Sequence, residues 1–260
     1  MRVGVIMCKI FENEMLHLLK SDAGISKIYI VPSEDSKRLE ELLNNAGVAF
    51  TNSTIQDLPP KEKAEGMEVV ITVLELGLHV YKDKIKPTVM TKAKEMQPTV
   101  DSIFLMYGLC GNALMDIEDE IVKQELKAVI PKDKDGYIID DCVGVLLGGK
   151  RGYWNELRKE SGTWFSTSGW SLYGTDILKR DLGLKSQEIM KYILKEVSHY
   201  KRVLIVETGV EDAEFHKRSE GFAKEMDLNL ESRSGDLGLL HEAWEAAKQL
   251  AAKESAAANS

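Results

Sequence analysis

Short, nearly continuous apolar runs alternate along this chain with segments of helical period, and that alternation limits the fold more than any other feature. Arg2–Cys8 (RVGVIMC), Lys27–Val31, Glu68–Val73, Ser102–Met106, Lys127–Ile130 and Arg202–Val206 read as strands with no polar face. Between and after them, Glu12–Leu19, Ser36–Asn44, residues 83–96, Ser186–Tyr200, Glu211–Met226 and His241–Leu250 carry apolar residues at helical spacing. Leu228–Leu230 reads as a last short strand. Strands buried on both faces need helices on both sides, so the pattern predicts an α/β fold with a mainly parallel, Rossmann-like sheet. We expect one α/β domain over residues 2–250, or two fused lobes meeting near residue 100, with 251–260 a frayed or foreign tail.

The remaining bulk properties exclude function classes. A net charge of −8 argues against a nucleic-acid surface. No apolar run reaches the roughly 18 residues of a membrane span. The opening MRVGVIMCKI has one basic residue before a very short apolar stretch, unlike a secretory signal, and the expected location is the cytoplasm. Three cysteines in 260 residues form no disulfide framework.

Position gives those cysteines interest. In open α/β sheets ligands bind beyond the carboxyl ends of the strands. Cys8 ends the first strand, Cys110 sits in the turn YGLCGN behind Ser102–Met106, and Cys142 closes the loop after Lys127–Ile130 at a helix start. All three fall on one sheet edge. Gly108 and Gly111 are expected to leave room beside the Cys110 sulfur, with Asn112 and Asp141 lining the same place. Three converging thiolates repel unless a cation neutralises them. His79, after Glu68–Val73, is a candidate fourth ligand or proton donor. No close C-x2-C pair is present, so the set resembles an assembled functional centre more than a structural zinc site. A [4Fe–4S] cluster with one open iron is the expected centre for three thiolates, with a catalytic zinc as the alternative. A further alternative is that the cysteines only fill the core.

Other features are weaker. LLGGK (146–150) lacks the phosphate-loop spacing and reads as a helix end. GTWFSTSGW (162–170) reads as a lid or substrate wall presenting Thr167, Ser168 and Trp170, or as an aromatic plug. Glu207 and Thr208 follow a strand and are candidates for acid–base or supporting roles, as is Trp170 for contacting substrate. Asp140 and Asp141 are placed to cap the helix at Cys142.

YGLCGN, the D-C-x-x-x-L-L-G-G block at 141–149, Gly169–Trp170 and the strand-end Cys8 resemble the family called domain of unknown function 1638. The similarity runs from about Arg2 to Leu240, and Gly77-Leu78-His79 matches its pattern. Asp141 stands where many members carry histidine, so no imidazole is available there. The resemblance implies anaerobic one-carbon or methyl-group metabolism, with a corrinoid protein or methyltransferase as partner, or a small-molecule or thiol substrate. A metal or cofactor carrier serving such a system, and a small-molecule binding module, are the non-enzyme readings. Quinolinate synthase, where three cysteines from separate units hold one cluster, offers a similar architecture.

Overall fold

The computed structural model describes residues 1–61, 66–79, 81–181, 183 and 186–257, with the backbone alone at 77, 79, 82 and 181. Its centre is β1 (Arg2–Cys8), whose seven residues are all buried. β1 pairs in parallel with β4 (Met67–Leu74) on one side and β5 (Ser102–Met106) on the other. β2 (Ile25–Ile30), β3 (Thr51–Asn52) and β6 (Ala128–Val129) complete a six-stranded, all-parallel sheet in the order β3-β2-β4-β1-β5-β6. The helices α1 (Glu12–Ser21), α2 (Lys37–Asn45), α3 (Lys82–Met96) and α4 (Ile117–Lys123) lie between the strands in sequence. The chain therefore has the Rossmann-like α/β fold that uninterrupted apolar strands require. Strands up to β4 lie on one side of β1 and those from β5 on the other, so winding reverses beside β1. That reversal is where open α/β sheets form their crevice.

Two short helices, α5 (Cys142–Val145) and α6 (Lys150–Lys159), lead to a second parallel sheet. Gly148 and Gly149 separate them with φ of 74° and 91°, conformations that favour glycine, so the LLGGK segment ends a helix as expected. The second sheet orders β7 (Thr163–Ser166), β8 (Arg202–Glu207) and β9 (Asn229–Ser234). With it go α7 (Ser168–Asp181), α8 (Gln187–Tyr192) and α9 (Phe215–Met226). Finally α10 (Gly238–Ala257) returns to the first sheet, burying Trp244, Ala247 and Ala251. The Ser102 hydroxyl donates to the Ala247 carbonyl at 2.7 Å.

Several expected elements change. GTWFSTSGW is regular structure: its first half is β7, paired with β8, and its second half starts α7. The helix expected over Ser186–Tyr200 is α8 followed by a π-helical turn, Ile193–Val197, and it stops before His199, whose φ is 56°. α9 starts at Phe215 because Glu211 and Asp212 bond within the preceding loop. The tail expected to fray from 251 is helical through Ala257, held by buried Ala251; residues 258–260 lie outside the described set.

The carboxyl edges of the two sheets meet. Gly169, at the start of α7, sits so close to the backbone beyond Cys8 that a Cβ there would lie 2.2 Å from the Ile10 carbonyl oxygen. Asn13 Nδ2 donates to the Val210 carbonyl at 3.1 Å, and the Asp236 amide donates to the Leu146 carbonyl at 2.8 Å. Gly169→Ala should therefore destabilise the protein by roughly 2–3 kcal/mol or more, since backbone cannot yield as a side chain can. Chemical denaturation of the two proteins checks this, with Gly221→Ala, in α9 with open space around it, as the control for a mild effect.

Candidate functional site: a buried thiol triad

The three cysteines converge. Cys110 Sγ and Cys142 Sγ are 3.5 Å apart, and Cys142 is also the strongest influence on the Cys8 thiol. All three are free thiols and buried. Their placement follows from the strands: β1 delivers Cys8, the turn after β5 delivers Cys110, and α5 begins at Cys142.

The turn carrying Cys110 is laced onto the segment before Cys142. Leu109 and Gly111 amides donate to the Ile139 and Asp140 carbonyls at 2.7 and 3.4 Å, and the Gly108 amide donates to Cys142 Sγ at 3.4 Å. Gly108 does not leave empty room, contrary to expectation. A Cβ there would lie 2.6–2.8 Å from backbone atoms of Asp141 and Cys142, so the missing side chain lets two backbones touch. Cys110, Gly111 and Asn112 have φ of 48°, 62° and 69°. A cysteine in this left-handed region is unusual, and the strain is tolerated because the surrounding bonds fix the turn. Gly111 and Asn112 themselves are exposed, so they shape the turn.

The electrostatics match crowding of like groups. Hydrogen bonding to Cys142, burial and the charge of Cys142 push the Cys8 and Cys110 thiols well above the ordinary range. Tyr107 follows β5 directly, and its hydroxyl is fully buried without a hydrogen-bond partner among the described residues. Burial, then the charges of Cys8, Cys110 and Cys142, push that phenol up. Asp141 caps α5, accepting from the Val143 amide at 2.9 Å. Burial and the neighbouring Cys142 raise its carboxyl to about 7. Asp140 instead accepts from Trp154 Nε1 at 2.7 Å.

Other expected residues fall elsewhere. His79 ends a 3-10 turn, Leu76–His79, and its side chain is outside the described set. The Glu207 carboxylate pairs with His216 Nε2 at 3.4 Å. Thr208 gives its amide and hydroxyl to Glu211 Oε1, at 2.5 and 2.8 Å. Thr167 and Ser168 are buried, and Thr167 Oγ1 accepts from the Trp170 amide. Trp170 joins Asp141 in lining a cleft. Among the described residues no group of three or more His, Cys, Asp or Glu side chains is arranged around a vacant point as ligands of a metal ion.

One group escaped the sequence reading. The first turn of α1, directly beyond Cys8, buries Glu12, Asn13 and Glu14. Glu12 accepts from Tyr173 at 2.5 Å and Arg38 at 3.0 Å, and Asn13 Oδ1 accepts from both terminal nitrogens of Arg38. Glu14 is different: both carboxyl oxygens are buried without a hydrogen-bond partner among the described residues, and burial raises it to about 8. The helical periodicity of this segment was the available signal, but three consecutive polar residues look like a solvated face.

The fold and site define a class: a two-sheet, Rossmann-like α/β protein with a buried cysteine triad where the sheets meet. Residues 73–244 match the family described as "Protein of unknown function (DUF1638)", and the chain belongs to that family. The matched segment holds Cys110 and Cys142, with Cys8 outside it. Neither the curated proteins nor the solved structures that were searched gave a match. No described helix is long and apolar enough to cross a membrane.

Glu14 sets a pH dependence. Its folded-state proton affinity exceeds that of the unfolded chain, so between about 4.5 and 8 the native state binds more protons. Stability should then fall as pH rises through that window, by up to a few kcal/mol at about 1.4 kcal/mol per tenfold of affinity. Glu14→Gln removes this contribution. Urea denaturation should show the variant gaining on the parent protein as pH increases, and a parallel profile for both would refute the assignment.

Proposed function

We propose that Cys8, Cys110 and Cys142 bind one thiophilic metal centre where the two sheets meet, and that chemistry occurs there. The observation that carries this reading is the convergence of three thiols from separate elements beside an unpartnered, buried tyrosine hydroxyl. Thiols alone gain little from such crowding, whereas a soft cation favours their ionised forms and removes the repulsion.

The chemistry of the three thiols suits such a group, although among the described residues they do not stand arranged as its ligands, so loading requires them to draw together. Two sulfurs on one tetrahedral zinc at about 2.3 Å lie roughly 3.8 Å apart, and the Cys110–Cys142 pair stands at 3.5 Å. A [4Fe–4S] cluster takes each thiolate on a different iron, so the sulfurs would have to separate. The spacing therefore supports a single zinc over the cluster that sequence position alone suggests. A zinc–thiolate centre with an open position would supply Lewis acidity and activate a bound thiol or water.

The protein's own groups have definable parts. The Gly108 amide stabilises charge on Cys142 Sγ. We assign to the Tyr107 hydroxyl, buried and without a partner among the described residues, a hydrogen bond donated to a thiolate or a bound substrate atom in the loaded site. The strained Cys110 turn holds its sulfur against Cys142. On the family resemblance, we propose that this chemistry serves methyl-group metabolism, with a corrinoid protein or a thiol as partner. A metal-carrier role uses the same residues.

The test is metal analysis with a visible spectrum on anaerobically purified protein. We expect about one zinc per chain and no colour, with Cys8→Ser, Cys110→Ser and Cys142→Ser each losing most of it. A brown protein with about four irons would replace zinc by the cluster. Protein that stays metal-free after incubation with zinc or iron and sulfide, yet is fully folded, would leave the cysteines as core packing and sink the reading.

A Tyr107→Phe variant probes the second part. It should fold and keep its metal, because only an unpartnered hydroxyl is removed, and that change costs little or even stabilises. Thermal unfolding and metal content check this; a large loss of stability would mean that the hydroxyl has a structural partner.

A further inference from the structure

Beside Cys142 the structure has a cleft of about 410 Å³ that no role above uses. Its walls are Tyr153, Trp164, Phe165, Trp170 and Tyr200, and Asp141 stands among them. The rings are fixed by one another. Trp164 is nearly perpendicular to both Trp170 and Tyr200, at 73° and 71°, with centroids 5.8 Å away in each case. Tyr153 stacks on Phe165 at 5.2 Å. The four tyrosine and tryptophan walls are only half-buried, so their remaining surface opens to the cleft.

The charge pattern is one-sided. Among the described residues lining the cleft there is no Lys, Arg or His, and Asp141 is the one acid. Tyr153 and Tyr200 line the cleft together with Asp141, and burial and then the charge of Asp141 push both phenols up. Ring faces carry negative potential, so several rings around one carboxylate favour a weakly hydrated cation over an anion or a neutral polar group. A compact ammonium such as that of Lys is strongly hydrated, whereas an alkylated ammonium or a sulfonium also buries its methyl groups against the rings. We propose that this cleft binds a small organic cation of the quaternary ammonium or sulfonium type, held by the aromatic walls and Asp141.

Tryptophan fluorescence of the full chain tests this directly, because Trp164 and Trp170 line the cleft. The probes are choline and 3,3-dimethyl-1-butanol, which share a shape but not a charge. We expect saturable binding of choline, at least about tenfold tighter than of the neutral probe. Asp141→Asn and Trp170→Leu should each weaken choline by about tenfold, and Asp141→Asn should also erase most of the preference. Equal affinity for the two probes, or no saturable response to choline, would overturn the proposal. That comparison uses the unaltered protein and holds even if a variant fails to fold.

Discussion

Pairing of β1 with β4 on one flank and β5 on the other fixes the position of everything that matters at the thiols. The register Cys8↔Leu74 puts Cys8 at the last paired position, and Met7↔Met106 ends the pairing with β5 one residue before it. From there Tyr107 lies beside the sheet edge and the YGLCGN turn begins. The cost of placing polar and ionisable groups at the end of a wholly buried strand is met by pairing them with one another. Arg2, buried at the other end of β1, follows the same rule: it is held by Glu68 and by the Thr99 and Pro59 carbonyls.

The junction between the sheets combines two kinds of contact that respond differently to change. Backbone approaches at Gly169 and Gly108 are steric and admit no adjustment. The polar cluster of Glu12, Asn13, Arg38 and Tyr173 is directional, with a bidentate guanidinium at its centre, so it also fixes orientation. Asp212, across the junction, approaches Arg38 at 3.5 Å, so one arginine serves both sides. Together these hold the thiols and the aromatic cleft in one frame.

Much of this was legible in the sequence, for definite reasons. Strands without a polar face announce a parallel sheet, and the carboxyl-end rule then located Cys8, Cys110 and Cys142 on a shared edge. The second sheet was hard to read because its edges lack that mark. β7 is four residues long, and β9 (NLESRS) is largely exposed, so neither shows a continuous apolar run. The glycines of YGLCG and SGW were visible, but spacing does not say whether a missing side chain makes room for a ligand or for another backbone. The tyrosines and tryptophans of the cleft come from α6, β7, α7 and the approach to β8, and only pairing of β7 with β8 brings them together.

The return of α10 to the first sheet has a consequence for how the chain is made. Phe104 of β5 meets Trp244 with ring centroids 6.0 Å apart, and Ser102 bonds to Ala247, so residues more than 130 positions later cover the central strands. During synthesis, the first six strands emerge before the helix that seals one face of β5 exists. The entire second sheet is built in the interval, enclosed between two parts of the first. A ribosome-bound chain therefore exposes an apolar sheet face until its final helix appears, the condition under which nascent proteins engage chaperones. Contacts of such long sequence separation also slow folding, because the closing loop must be ordered before they form.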